Sequence, residues 1–338
     1  MTPEYIQLYP TLRCNQRCSF CFNDAGAETG DMSRKDASAL LNIMESCNIP
    51  ELDIMGGEPF VVPWMPDFIR DASGRGLAVN VSTNGSLLPA LKPLEGISPA
   101  SLTIGISLEG SSEERHNRIT GSRNFAAALE SLSWLSQAGL DPLVKTVLTR
   151  ETAPDVREIV RLVRERGIQR YYLIHMDLLS PNGQERAAPI GYPEFAGFVA
   201  GLQAGNPDIE INSVSASCFN GAASSMNIRC AAGTRKVAVM PDGSVFPCNL
   251  FHRYPEFRLG NILSDDLSAL MENPQLAYFR SFSGNTCPSP DCSNRPACTG
   301  GCPAHGYYHF RDTGGRDLRC SPGDAAASLI TAHDDTAP

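Results

Sequence analysis

The sequence predicts an α/β protein: a parallel sheet with helical crossovers, closed or partly closed as a barrel, followed by a smaller cysteine-rich segment. Two observations carry this. Over the first 180 residues, short β-branched and apolar runs alternate with amphipathic stretches of helical period, which is the pattern of repeated βα units. From Cys218 onward the composition shifts, with eight cysteines in 103 residues against four in the preceding 217. In chain order, a first strand is expected at 6–9 and a helix at 35–46. A strand at 52–55 and a helix at 66–75 follow, then a strand at 78–82 and a shorter helix near 87–94. The last units are a strand at 102–107 with a helix at 125–138, a strand at 143–148 with a helix at 153–166, and a strand at 171–175. In folds of this kind chemistry sits at the carboxyl ends of the strands.

Composition narrows the function classes. A chain of 338 residues buries a core without disulfide staples, so its twelve cysteines need another explanation. The opening residues lack the charged, apolar and small-residue succession of a secretion signal, and there is no apolar run of about 18 residues. A reducing, cytoplasmic compartment is expected, where cysteines bind metals or clusters more readily than they form disulfides. A net charge of −9 without a basic run argues against nucleic acid and anionic membranes as partners. It points instead to small molecules or a peptide.

Four motifs fall at expected strand ends. After the first strand, Cys14, Cys18 and Cys21 are spaced C-x3-C-x2-C. Three thiolates in eight residues can hold three corners of a cubane cluster that ordinarily takes four, leaving one iron open. A structural zinc site would want a fourth ligand, and no histidine is near in sequence; three buried thiols beside Arg13 and Arg17 are a poor reading. After the second strand, Gly56-Gly57-Glu58-Pro59 permits close backbone approach beside an acid, as suits a ligand's ammonium group, although paired glycines commonly just make turns. Ser82-Thr83-Asn84-Gly85 offers hydroxyl and amide groups suited to a ribose, or else a helix cap. Ser107-Leu108-Glu109-Gly110 is followed by Arg118, which can hold a carboxylate or stand as a solvated surface group.

Together these residues resemble the radical S-adenosylmethionine (SAM) superfamily, which has the same cysteine loop with an aromatic residue, here Phe20, before the last cysteine. The resemblance covers about residues 5–180. It implies a partial (β/α)6 TIM-like barrel with a [4Fe–4S] cluster on Cys14, Cys18 and Cys21, whose open iron chelates SAM. Gly56, Gly57 and Glu58 would lie along the methionyl ammonium, Ser82 and Asn84 near the ribose, and Ser107 and Arg118 near the carboxylate. The implied reaction is reductive cleavage of SAM followed by hydrogen abstraction from a substrate by a 5′-deoxyadenosyl radical.

Residues 181–210 read as a linker with an adaptor helix at 193–202. Beyond them, 236–240 and 245–247 flank Pro241-Asp242-Gly243, a β-hairpin that would bring Cys230 and Cys248 together. The cysteine order is Cys230, then Gly243-x4-Cys248, Cys287-x4-Cys292-x5-Cys298-x3-Cys302 and Cys320. This region resembles the SPASM extension of radical SAM enzymes, a small cysteine-rich α+β domain that binds two auxiliary [4Fe–4S] clusters; the x4 step after Cys287 departs from the usual x2. By that resemblance Cys230, Cys248 and Cys302 hold the first auxiliary cluster, and Cys287, Cys292, Cys298 and Cys320 the second. The first then lacks a fourth cysteine, so that Cys218 supplies it or an iron stays open to substrate. A pair of zinc sites is the alternative that spacing alone leaves standing. The implied domains are 1–180, a linker at 181–210, the SPASM domain at 211–322 and a mobile tail at 323–338. Cys47 reads as a plain buried thiol, and His305 and His309 as structural.

The resemblance implies oxidative modification of a ribosomally synthesised peptide or a protein, by a cross-link, a thioether or side-chain oxidation. The peptide would bind directly or be presented by a separate leader-binding protein, and flavodoxin or ferredoxin would serve as electron donor. A sulfatase maturase of this architecture has an acid after the Gly-x4-Cys cysteine, where this chain has Asn249, so that role would need Asp242 or another acid as base. A small-molecule dehydrogenase usually has a shorter extension. A non-catalytic iron–sulfur electron carrier would explain the cysteines but not Gly56-Gly57-Glu58, Ser82, Asn84 and Arg118 at successive strand ends.

Overall fold

The computed structural model describes residues 2–23, 30–180, 186–216, 219, 230–281, 291–292, 295–296 and 298–320. Its strands are β1 Tyr5–Leu8, β2 Glu51–Ile54, β3 Ala78–Thr83, β4 Leu102–Ser107, β5 Leu143–Leu148, β6 Arg170–His175, β7 Glu210–Val214, β8 Lys236–Val239, β9 Ser244–Phe246 and β10 Gly260–Asn261. They form one sheet in the order β10-β9-β8-β1-β2-β3-β4-β5-β6-β7. From β8 to β7 every neighbouring pair is parallel, while β9 and β10 run antiparallel. The order is linear with β7 and β10 as edges, so the barrel is open, as the partial-barrel expectation requires. No described helix is long and apolar enough to cross a membrane.

The crossover helices are α1 Arg34–Ser46, α2 Met65–Gly74, α3 Leu88–Leu91, α4 Glu113–Thr120, α5 Phe125–Gln137, α6 Val156–Glu165 and α7 Tyr192–Gly205. Helix α1 shows how sequence makes them. Ser33 caps its start by accepting from the Asp36 amide, and Ala37, Leu40, Leu41 and Met44, at helical spacing, are fully buried against the sheet. A fully buried Leu or Met contributes about 1.5–3 kcal/mol relative to its exposed state.

The expected strands and helices all form, with ends shifted by a few residues. Several elements were not foreseen: β10, the helices Leu267–Met271, Ala277–Arg280 and Pro303–Phe310, and two within the barrel region. Strand β7 lies at the end of the stretch read as linker and adaptor helix, yet it pairs in parallel with β6 from Arg170↔Glu210 to Ile174↔Val214. Helix α4 has Ile119 as its one aliphatic residue, but Ser112 caps its first turn and Gly121, at φ +60°, ends it. The hairpin forms as expected, with Gly243 at φ +81° in its turn. Its β8 also pairs with β1, Tyr5 opposite Lys236 and Leu8 opposite Val239, so the cysteine-rich region extends the barrel's own sheet.

Candidate active site

The Cys14–Cys21 loop is held by the helix that the sequence did not announce. The Arg17 amide donates to Thr120 O and the Ser19 amide to Ile119 O, both at 2.9 Å, so the loop hangs from the last turn of α4. A Cβ at Gly121 would stand 2.9 Å from Arg17 O. Arg17 folds back onto Cys14 O and Gln16 O, and Arg186 donates to Cys18 O at 3.1 Å. Burial pushes all three thiols above their ordinary pKa. Glu109 and the neighbouring sulfurs raise Cys18 further, while Arg186, Arg253 and Arg17 oppose the rise at Cys21. Three soft donors crowded out of water in this way suit a cationic iron–sulfur cluster, which takes them as thiolates in place of protons.

The Gly56–Glu58 turn presses on the entrance to that loop. A Cβ at Gly56 would lie 2.4 Å from Thr11 O, and one at Gly57 2.0 Å from Arg13 O. The Gly57 amide donates to Thr11 O at 2.9 Å and the Glu58 amide to Arg13 O at 2.8 Å. The close approach foreseen for a ligand is therefore made by the chain itself. The Glu58 side chain is 1% exposed and turned inward. It accepts from Thr83 Oγ1 at 2.7 Å, from the Asn84 amide at 2.8 Å and from the Phe60 amide at 3.1 Å. This carboxylate braces the third strand end against the second.

Other expected contacts are also committed within the protein. Asn84 donates to Asn15 Oδ1 at 2.7 Å and accepts from the Ser86 amide, tying the third strand end to the cysteine loop. Ser82 Oγ accepts from Lys145 Nζ at 2.6 Å. Ser107 is half-buried and registers with Lys145 across β4 and β5. Arg118 is half exposed and pairs with Glu151 at 3.2 Å, so its surface reading is the one the geometry favours.

One cavity of about 560 Å³ joins the two cysteine-rich regions. Cys21 lines it together with Cys230, Cys248 and Cys302. Thus the three cysteines assigned to a first auxiliary cluster line the same cavity as Cys21 of the loop expected to bind SAM. Burial pushes the Cys302 thiol up to about 12, and a soft metal cluster is again what such a thiol suits. Among the described residues no three His, Cys, Asp or Glu side chains converge on a single ion. Cys292, Cys298 and Cys320 are half-buried, with the Gly300 amide 3.3 Å from Cys298 Sγ. Cys218, Cys287 and the tail at 323–338 lie outside the described residues. Cys47 follows α1, half-buried against the core.

Sequence reasoning missed the polar floor of this cavity. Lys145 lies across β4, where a Cβ at Gly105 would stand 2.3 Å from its Cε, so the glycine inside that strand makes room for the lysine. A glycine in a strand interior is a known sign of close approach. Asp53 and Gln7 lie beside it, Gln7 Nε2 donating to Asp53 at 3.3 Å. Burial lowers the Lys145 pKa against the pull of Asp53.

Behind Cys302 runs an ionic network: Arg319 joins Asp177 at 2.7 Å and Asp317 at 2.7 Å, His305 joins Asp177 at 3.0 Å, and Asp317 accepts from the Cys302 amide at 3.0 Å. His305, fully buried, is a strut in this network, and His309 contacts Leu178 O at 2.9 Å. Asn249 bridges Tyr9 Oη at 2.9 Å and Cys248 Sγ at 3.1 Å. Asp242 accepts from the amide and hydroxyl of Ser244 inside the hairpin turn, which ties it to that turn rather than to the cavity.

Comparison with known proteins agrees with this geometry. Residues 8–163 match the family model of the radical SAM superfamily, and residues 230–303 match that of the SPASM iron–sulfur cluster-binding domain. The chain is 25% identical over 334 residues to the mycofactocin maturase MftC of Mycobacterium ulcerans, covering 94% of this chain and 88% of that protein. It is 24% identical over 290 residues to the antilisterial bacteriocin subtilosin biosynthesis protein AlbA of Bacillus subtilis, covering 80% and 60%. The crystal structure of Streptococcus suis SuiB bound to precursor peptide SuiA shares the fold at TM-score 0.79 and 17% identity, covering 95% and 76%. The chain carries a radical SAM domain at residues 8–163 and a SPASM iron–sulfur cluster-binding domain at residues 230–303.

Proposed function

We propose that this protein is a radical SAM maturase that oxidatively modifies a ribosomally synthesised peptide inside the cavity shared by its two cysteine-rich regions. That shared cavity, lined by Cys21 and by Cys230, Cys248 and Cys302, is the observation that carries the reading. When bound, the cluster on Cys14, Cys18 and Cys21 supplies the electron for reductive cleavage of SAM, whose 5′-deoxyadenosyl radical takes hydrogen from the substrate. The main chain of Gly56 and Gly57 faces the methionyl ammonium, with Glu58 holding that turn and Asn84 in place. Cys230, Cys248 and Cys302 would hold an auxiliary cluster, which would supply an acceptor for the electron left on the substrate; Cys287, Cys292, Cys298 and Cys320 would hold a second one. Cys218 would complete the first, or one of its irons would stay open to substrate.

A peptide is the favoured substrate because a mycofactocin maturase and a bacteriocin biosynthesis protein are among the relatives that match four fifths or more of this chain, beside a cofactor-modifying protein and a heme synthase of similar coverage. The cavity of about 560 Å³ takes a side chain together with its flanking main chain. A flavodoxin or ferredoxin is the proposed reductant, a separate protein the proposed leader carrier and the cytoplasm the proposed compartment. Asn249 and Asp242, held as described, leave neither position with the free acid that a sulfatase maturase would use.

The test is anaerobic incubation of the reconstituted protein with SAM, dithionite and peptides encoded beside its gene. Formation of 5′-deoxyadenosine with a mass change in one peptide is expected, and both are lost in the Cys14→Ala/Cys18→Ala/Cys21→Ala variant. No 5′-deoxyadenosine from fully clustered, SAM-bound protein would refute the enzymatic reading in favour of an electron carrier.

A further inference from the structure

The β8–β9 hairpin places a lysine against the auxiliary cysteines. Its ladder sets Val239 opposite Val245 and Ala238 opposite Phe246. Lys236 and Cys248 lie two residues beyond that last pair, one on each arm of the hairpin. Both residues line the cavity, as does Cys230, and the Lys236 amide closes the intervening turn on Ala231 O at 3.1 Å.

The lysine has no partner of the usual kind. Among the described residues its ammonium makes neither a hydrogen bond nor a salt bridge; of the lumen's two carboxylates among these residues, Asp53 accepts from Gln7 and Asp177 is joined to His305 and Arg319. Lys145, the other lumen lysine, is bonded to Ser82. An ammonium removed from bulk water is strongly disfavoured unless opposite charge stands close.

We propose that Lys236 is the charge partner of the Cys230 and Cys248 thiolates and a positioning residue of the auxiliary iron–sulfur site, raising the reduction potential of the cluster held there. This rests on the reading that Cys230, Cys248 and Cys302 bind such a cluster. One-electron reduction adds negative charge to the sulfur-ligated metal, so a fixed positive charge a few ångströms away favours the reduced form; net charge is among the levers that set these potentials. The lysine would thereby make the auxiliary site a better acceptor for the electron that substrate oxidation releases.

The experiment uses the Cys14→Ala/Cys18→Ala/Cys21→Ala protein, reconstituted anaerobically so that only auxiliary clusters report. Redox titration followed by electron paramagnetic resonance compares this parent with Lys236→Met and Lys236→Arg, with iron and sulfide counted in each. Lys236→Met is expected to lower the midpoint potential of one auxiliary signal by at least a tenfold change in the reduction equilibrium, about 59 mV for one electron. Its iron stays unchanged, and Lys236→Arg stays near the parent. Equal potentials in the parent and Lys236→Met would overturn the proposal, as would an equal fall in both variants, which makes shape the cause. Iron lost from Lys236→Met but kept in Lys236→Arg supports the charge role, whereas loss from both overturns it. A parent with no auxiliary iron overturns the cluster reading and the proposal together; a parent with iron and an unmoved potential overturns the proposal alone.

Discussion

Gly57→Ala separates two meanings of the paired glycines. If they exist to let a ligand approach, alanine weakens SAM binding and leaves the fold intact. The structure says otherwise, because the added Cβ would lie 2.0 Å from Arg13 O, 2.4 Å from Arg13 C and 2.7 Å from Leu12 O. All three are main-chain atoms, which no rotamer change can move. Relief requires the turn and the loop entrance to part, at about 1–3 kcal/mol for the strain. It also weakens the bonds from the Gly57 and Glu58 amides to Thr11 O and Arg13 O, each worth about 0.5–1.5 kcal/mol. The expected loss is about 3–5 kcal/mol in chemical denaturation of the anaerobic protein, with reduced iron at Cys14, Cys18 and Cys21. Gly74→Ala is the control. Its Cβ would meet nothing within 4 Å at the end of α2, so it should change stability by less than about 1 kcal/mol. Wild-type stability and cluster content in Gly57→Ala, with only SAM affinity lowered, would refute this reasoning.

Further expectations follow from the same geometry. Burial raises the Glu109 pKa to about 8, against the lowering effect of a bond from the Val147 amide. Its folded pKa exceeds the unfolded one, so its stabilising contribution is full below about pH 4.5 and is lost as pH rises to about 8, on the order of 3–5 kcal/mol. Urea titrations between pH 5 and 9 should show that loss in the wild type and a flatter profile in Glu109→Gln; identical profiles would contradict it. Glu58→Ala leaves three buried donors without their acceptor and should cost about 3–5 kcal/mol, measured by the urea midpoint, with Glu58→Gln milder. In Gly105→Ala the new methyl meets Lys145 Cε and Nζ, so peptide product should fall severalfold while 5′-deoxyadenosine formation persists. A product yield equal to wild type would remove Lys145 from the substrate end of the cavity.

The barrel was legible because its central strands are buried apolar runs and its major helices carry long apolar stripes, as α1 does with Ala37, Leu40, Leu41 and Met44. The exceptions obey the same physics. Strand β7 is an edge strand with Ile211 as its one buried residue, too short a pattern to stand out from a linker. Helix α4 rests on a Ser112 cap and buried His116, Ile119 and Thr120 rather than on an aliphatic stripe. The cysteine loop was readable from spacing, but its support from α4 depends on main-chain bonds that no side-chain pattern encodes. Glu58 was found as a motif residue and given a ligand; its three internal donors come from residues two to twenty-six positions away. The glycine inside β4 was a signal that could have revealed Lys145.

The central claim is that one cavity unites two separate iron–sulfur sites, and counting metal tests it most directly. Iron and sulfide would be measured in wild type, in Cys14→Ala/Cys18→Ala/Cys21→Ala and in Cys230→Ala/Cys248→Ala/Cys302→Ala, all reconstituted anaerobically. The account predicts that each triple variant loses about four irons relative to wild type, and that only the second still forms 5′-deoxyadenosine from SAM. Full iron in the Cys230→Ala/Cys248→Ala/Cys302→Ala protein, or zinc in place of iron in wild type, would contradict it.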